Sequence, residues 1–425
     1  MLKLIVHQSP VLIGFLISLK LSLSRPQFNH VARLIDAQIV AEGKQKTVAS
    51  LYELIVDAPD ASNGCDTLRI SPWRAEDVRC ARRTFVVEEL KRNRESSGER
   101  IIYASIDDSL GEKDKGTRHL EAVEFHHDHT KSTKKKAQHT NGTAHVALRL
   151  QLGGMEYVFD ERLYLREKTV RRLNRNRPKE QRLRFRKKGS LAQEMLRELK
   201  ALLPAGFQLY VLFDSWYASN RLLKFCRRNG WHVICAIKSN RVFDGQKLSE
   251  WNKTLKHQRY QQLTLTATDQ RLLTYFVRSL NGRLNHLPFD VCVLISKRHP
   301  RDSYPKYFLC TDITLSPRAI LQTYQKRWTI EVDNFYVKQH LGLTDFRVQS
   351  FEATDKWFAL VYLAYLFLQW RRNHAPPEQK LHSIADVIRL HRQEHAHTLL
   401  HTACRLAIDS LDLSAILQRF VIQSA

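Results

Sequence analysis

Four side chains in the last third of the chain carry the first chemical signal. Tyr324, Arg327, Glu331 and Lys338 stand in the run YQKRWTIEVDNFYVK, with Ser316 and Pro317 upstream. A serine N-cap and a first-turn proline predict a helix here. At about 100° per residue, the last three side chains fall at roughly 300°, 340° and 320° from Tyr324, inside an arc of about 60°. A phenol, a guanidinium, a carboxylate and an ammonium on one stripe are poor material for a hydrophobic core. They suit a surface that meets phosphates and a metal ion. Arg327 and Glu331 are also an ordinary i, i+4 ion pair, worth a few tenths of a kcal/mol, so the stripe must be weighed with the elements around it.

The spacing resembles the Y-R-E-K signature of DDE transposases from bacterial insertion sequences, and all four positions match without a gap. The resemblance implies a ribonuclease H-like catalytic fold in which Glu331 is the third metal-binding acid. It associates Tyr324, Arg327 and Lys338 with transposon-end DNA. It also implies two aspartates upstream, each at the end of a buried strand. Residues 208–213, QLYVLF, form a short apolar, β-rich run, followed by Asp214, Ser215, Trp216 and Tyr217. The helix-like ASNRLLKFCRRNG comes next, with Gly230 as a C-cap, and then the strand-like WHVICAIK. An acid at the C-terminal end of a strand in such a unit lies where these sheets place ligands.

The first aspartate has two candidates. IIYASI, residues 101–106, reads as a strand, and Asp107, Asp108 and Ser109 follow. Alternation gives the two acids opposite faces, so only one should point at the metals. The resembling family often carries Asp-Asp-Thr, with the aspartate beside the hydroxyl residue as ligand. That favours Asp108 over Asp107, with Ser109 in place of threonine.

Three acids answer a specific need. Cutting a phosphodiester requires an attacking oxygen in line with the leaving oxygen, and two Mg²⁺ ions can hold both. Mg²⁺, or Mn²⁺ in its place, takes carboxylate and water oxygens. The resemblance assigns Asp108, Asp214 and Glu331 to these ions. No serine or tyrosine nucleophile is then required.

The rest of the composition points the same way. The formal charge of +25 favours nucleic acid over an ordinary acidic partner. From Arg162 to Lys188 there are thirteen Lys or Arg against Glu167 and Glu180. This stretch reads as a basic loop over a DNA channel, with Arg171, Arg172, Arg175 and Arg177 as phosphate contacts, ordering on binding. Ser190 and Gln193 read as a capping box opening the helix after it. Lys131 and Lys134 to Lys136 form a second basic patch. His126, His127 and His129 cluster with Asp128, but no cysteine accompanies them as in common structural zinc sites, so they read as a solvated loop. The seven cysteines show no paired spacing and read as free thiols in a reducing compartment.

These signals predict an α/β protein: a ribonuclease H-like mixed sheet flanked by helices. Residues 1–97 read as a helical N-terminal DNA-binding domain, and 98–240 with 306–375 as the catalytic domain. Residues 241–305 read as a β-rich insertion before the glutamate-bearing helix, with a turn at Asn281-Gly282. Residues 376–425 read as a C-terminal helical region in two pieces. WFALVYLAYLFL is too short for a membrane span and reads as a buried helix. VLIGFLI near residue 11 lacks the flanks of a signal peptide. The expectation is a cytoplasmic, nucleoid-associated bacterial transposase, acting on double-stranded DNA as a homodimer, with no membrane partner. The alternatives are a transposase-derived DNA-binding protein without catalysis and a structure-selective nuclease of the same fold.

Overall fold

The computed structural model describes residues 2–43, 45–128, 131–133, 136–266, 270–409 and 412–421. His129, Lys134 and Lys135 lie outside the described residues. Five helices come first: α1 (Pro10–Ser18), α2 (Arg25–Val40), α3 (Val48–Tyr52), α4 (Ala61–Arg69) and α5 (Ala75–Ser97). A Ser24–Gln27 capping box opens α2. Gly98 closes α5 in the left-handed conformation at φ 73°, where a side chain would be strained.

Strands β1 (Ile101–Glu112), β2 (Glu124–His127), β3 (His139–Leu152) and β4 (Met155–Tyr164) follow. Helices α6 (Glu167–Leu173) and α7 (Lys188–Leu202) lead to β5 (Gln208–Phe213), α8 (Asn220–Arg228) and β6 (His232–Ile237). The hairpin β7 (Val242–Phe243) and β8 (Gln246–Lys247) precedes α9 (Leu248–Thr254). Then come β9 (Gln261–Thr266), β10 (Leu272–Gly282), β11 (Val291–Lys297) and β12 (Lys306–Cys310). The remainder is helical: α10 (Pro317–Gln325), α11 (Thr329–Phe335), α12 (Phe351–Asn373), α13 (Ile384–Ile408) and α14 (Leu413–Phe420).

Ten strands share one mixed sheet in the order β2-β3-β1-β5-β6-β12-β11-β10-β9, with β4 paired to β3. β1, β5 and β6 run parallel at its centre. Period-two alternation divides these strands between two cores. Ile102, Ala104, Ile106, Leu209, Val211 and Phe213 face the larger one, with α5 and α12. Tyr103, Tyr210 and Leu212 face the smaller one, with Ile320 and Leu321 of α10. Both faces are therefore covered by helices.

The N-terminal helices are part of the larger core. Leu12, Phe15 and Leu16 of α1 pack there, with the Phe15 ring 5.3 Å from Phe85 and 5.4 Å from Phe367. Arg79, Arg82 and Arg83 of α5 are buried against Asp160 and Glu161 of β4. Asp36 of α2, wholly buried, accepts from the Ser9 amide at 3.0 Å and lies 2.7 and 2.9 Å from His391 and His395 of α13. The two ends of the chain are thereby tied together. Among the described residues no helix is long and apolar enough to cross a membrane.

Several local expectations change. The histidine-rich stretch is not a solvated loop: His126 and His127 lie on β2, and His139 and His145 on β3. His145 is fully buried, 2.7 Å from the Tyr362 hydroxyl, and burial pushes its pKa down to about 3. Asn281 and Gly282 continue β10, paired with Cys292 and Val291, instead of turning. A Cβ at Gly282 would meet the Asp244 carboxylate at 1.9 Å, so the glycine serves a close approach. Strands β9 to β11 extend the central sheet past β12. Helix α7 begins at Lys188, ahead of Ser190, and α13 is one continuous helix.

Candidate active site

The register of the two central strands places the acids. β1 and β5 pair in parallel up to Ile106 and Phe213. One step further come Asp107 and Asp214. Asp214 follows the C-terminal end of β5, while β1, expected to stop at residue 106, runs on through Asp107 to Glu112, paired with β3, so that Asp107 lies where β1 and β5 part. Asp107 continues the face of Tyr103, and Asp214 that of Tyr210 and Leu212, which is the face of the smaller core. Helix α10 packs on that face and brings the following segment over Asp107 of β1. Arg327 Nη1 lies 2.7 Å from Asp107 Oδ2, and its Nη2 lies 2.9 Å from Glu331 Oε1. Asp107 and Glu331 are thus held on one guanidinium, and Asp214 is near enough to Asp107 for its charge to act there. Burial pushes the Asp107 carboxyl up to about 6; Arg327 opposes this, while the like charges of Asp108 and Asp214 reinforce it.

Asp108 points to the other face. Its Oδ2 takes Lys188 Nζ at 2.5 Å, and its Oδ1 accepts from the Tyr217 hydroxyl at 3.1 Å. Lys188 lies on the first turn of α7, with its ammonium 5.5 Å from the Trp216 ring and 5.3 Å from Tyr164. Asp214 Oδ1 accepts the Trp216 amide at 2.9 Å, which fixes the tight turn after β5. Burial, then the charges of Asp108, Asp107 and Asp214, push the Tyr217 phenol well above its ordinary pKa. Neither Lys188 nor the Tyr217 hydroxyl is marked as a partner of Asp108 by its place in the sequence. The motif after Asp214 marked the tyrosine; one lysine among thirteen cations carried no signal.

The helix bearing the Y-R-E-K spacing starts as expected. Ser316 caps it, accepting from the Ala319 amide at 3.3 Å, and Pro317 follows. It is not uniform, however. Lys326–Trp328 form a 3₁₀ turn, and Tyr336–His340 a π-helical turn. Tyr324 is partly buried, its ring 4.8 Å from Phe308 and 5.7 Å from the Arg327 guanidinium. Burial pushes its phenol up to about 12. Lys338 sits on the π turn and donates to the Leu110 carbonyl of β1 at 3.1 Å. Its ammonium therefore holds the helix to the strand that carries Asp107. Behind Glu331, buried Asp333 accepts from Arg149 of β3 at 2.7 and 2.6 Å and from Tyr365 of α12 at 2.7 Å. This pair sets the height of α11 above the sheet.

The basic stretch packs against the body of the protein. Val170, Leu173, Leu183 and Phe185 anchor it in a small apolar cluster with Ala122 and Leu165. Arg171, Arg172 and Arg175 are exposed, Arg171 pairing with Glu167 at 2.6 Å. Arg177 differs: Glu352 holds it closely, and Glu121 lies at 3.0 Å. Of the second patch, Lys131 pairs with Glu112 at 2.8 Å.

The donor chemistry of Asp107, Asp214 and Glu331 fits a hard cation: all are carboxylate oxygens, with no sulfur or imidazole among them. The cation nearest to Asp107 and Glu331 is Arg327, lying between them. Among the described residues, only Asp36, His391 and His395 bring three ligand-type atoms within 4.8 Å of one another. There the carboxylate is instead satisfied as a hydrogen-bond acceptor, and the 2.7 and 2.9 Å separations are shorter than two ligands on one zinc ion would keep.

A mixed sheet flanked by helices, with acids where two adjacent parallel strands part and a third on a covering helix, defines an α/β fold consistent with DDE enzymes. The profile of the DDE superfamily endonuclease matches residues 23–265, more than half of the 425 residues, and that of the Transposase DDE domain matches 186–367. The chain belongs to the DDE superfamily endonucleases, and DNA is the substrate that membership implies. Such domains generally use divalent metal ions. No curated protein matches the chain significantly.

Proposed function

We propose that this chain is an insertion-sequence transposase of the Y-R-E-K type, which cleaves the ends of its own element and joins them to target DNA. Asp107, Asp214 and Glu331 are the acids that would hold two Mg²⁺ or Mn²⁺ ions. The sequence favoured Asp108 as the first ligand; its side of the strand favours Asp107. The observation that carries the reading is the Arg327 bridge from Asp107 to Glu331, with Asp107 and Asp214 each one step past the last β1–β5 pair. When bound, such ions activate the attacking oxygen and stabilise the leaving oxygen.

The protein's own groups position the DNA. Arg171, Arg172 and Arg175 offer phosphate contacts on an exposed surface. Arg327 offers a planar fork suited to phosphate oxygens, which lysine cannot reproduce. Trp216, 47% exposed, is tied to Asp214 through its amide and offers an aromatic face at the rim of the site. Lys338 and Asp333 keep Glu331 over the strands, and Tyr324 supports Arg327 from below. Residues 1–97 would engage the element ends, and a homodimer would bring two ends together in the bacterial cytoplasm.

The test is a supercoiled plasmid carrying the DNA that flanks the gene. Cleavage at the junctions, requiring Mg²⁺ or Mn²⁺ and followed by joining, is the expected result. Metal-dependent cutting without junction preference would leave a structure-selective nuclease. Binding without cutting would leave a transposase-derived DNA-binding protein.

A further inference from the structure

Arg327 stands where two of the proposed ligands meet. One nitrogen of its guanidinium is 2.7 Å from Asp107 and another 2.9 Å from Glu331, while its Nε is buried with no hydrogen-bond partner. The side chain is only 11% exposed. One guanidinium thus neutralises both the acid on β1 and the acid on α11. A dication on the same two carboxylates would meet that positive charge at close range, where the interaction is strong. Lys188 cannot take over this role, because it is held by Asp108 on the opposite face of the strand.

We propose that Arg327 is a resident counter-ion, competing with the divalent metal for Asp107 and Glu331 until a DNA phosphate draws the guanidinium away. The proposal rests on the metal-site reading of Asp107, Asp214 and Glu331. It makes Arg327 a positioning residue that reports the presence of DNA to the acids. Metal and DNA then tighten each other's binding by the same factor, as linkage requires. The free protein holds metal weakly, and the site charges fully only on its substrate.

The test is Mn²⁺ binding to the full chain, followed by the electron paramagnetic resonance of free Mn²⁺, without DNA. Arg327→Gln keeps a hydrogen-bond donor and loses the charge; it should bind Mn²⁺ about tenfold or more tightly than the parent. Arg327→Lys keeps the charge and should stay near the parent. Equal or weaker binding by Arg327→Gln overturns the proposal, since Arg327 would then organise the acids instead of blocking them. Asp214→Asn and Glu331→Gln separate the two readings. If both leave Mn²⁺ binding unchanged, the metal-site reading fails and this inference with it. If both weaken it while Arg327→Gln does not strengthen it, only this inference fails. The parent chain supplies a second measurement should Arg327→Gln not fold. A random-sequence duplex should tighten its Mn²⁺ binding, relative to the Asp214→Asn complex with the same duplex, and no tightening overturns the proposal.

Discussion

Replacing Asp333 by leucine should loosen the element that presents Glu331. The Asp333 side chain is 4% exposed and is gripped by Arg149 at 2.7 and 2.6 Å and by Tyr365 at 2.7 Å. Removing one partner of a buried ion pair costs about 3–5 kcal/mol, because the other charge stays buried. In Asp333→Leu, Arg149 keeps Glu156 as a partner. The loss therefore belongs at the lower end, about 3 kcal/mol, with about 1 kcal/mol more for the orphaned Tyr365 hydroxyl. In Arg149→Leu, Asp333 keeps only Tyr365, while Glu156 still has Arg372 at 3.2 Å. That loss belongs at the upper end, about 5 kcal/mol. The double variant leaves no charge stranded at this pair, so it should lose less than the sum of the singles by about 2 kcal/mol. Urea unfolding of the four proteins, followed by circular dichroism, measures the cycle. Single losses below about 1 kcal/mol, or strict additivity, would refute the claim that this pair holds α11 in place.

Neutralising Arg171, Arg172 and Arg175 together should weaken binding to every duplex alike and flatten the salt dependence by about 0.9 for each phosphate that these side chains no longer neutralise; anisotropy across a salt series reads this, and an unchanged slope counts against the surface. Arg177→Ala should instead lower stability while leaving the slope alone, because Glu352 and Glu121 already hold that guanidinium. Acid should act through Asp36. Burial alone would raise its carboxyl, but the hydrogen bonds and charge of His391 and His395 hold it far below the usual range. A depressed folded pKa means that this stability is present above about pH 4 and is lost as the pH falls further, by up to about 1.4 kcal/mol per unit. Unfolding measured from pH 5 to pH 2 should therefore fall less steeply for Asp36→Asn than for the parent, and parallel curves would contradict the assignment.

The strands and the helix that carry the three acids were readable because their signals are local. QLYVLF is a short apolar run ended by an acid, and its strand is Gln208–Phe213. Ser316-Pro317 announced a helix start that the cap geometry reproduces. The β3–β4 hairpin escaped notice for a physical reason. β3 is buried along almost its whole length, on both faces, so it shows no polar alternation, and its polar residues are satisfied by partners far away in sequence. His145 with Tyr362 and Arg149 with Asp333 are two such cases. The choice between Asp107 and Asp108 failed to resolve on residue types alone, since both are aspartates in succession on one strand. What separates them is which core each face of β1 meets, and that depends on α7 and α10 packing on opposite sides. Likewise, nothing in its immediate sequence marks Arg177, among thirteen cations, as the one tied to Glu121 and Glu352.

The most direct test of the proposed site is metal-dependent nicking of a supercoiled plasmid by four variants, Asp107→Asn, Asp108→Asn, Asp214→Asn and Glu331→Gln, each checked for intact folding and DNA binding. Losing a ligand that stabilises charge by several kcal/mol corresponds to roughly a thousandfold or more in rate. Asp107→Asn, Asp214→Asn and Glu331→Gln should each show that loss with Mg²⁺ or Mn²⁺ present, while Asp108→Asn, on the opposite face with Lys188, should keep most of the parent's rate. An inactive Asp108→Asn beside an active Asp107→Asn would contradict the placement of the site.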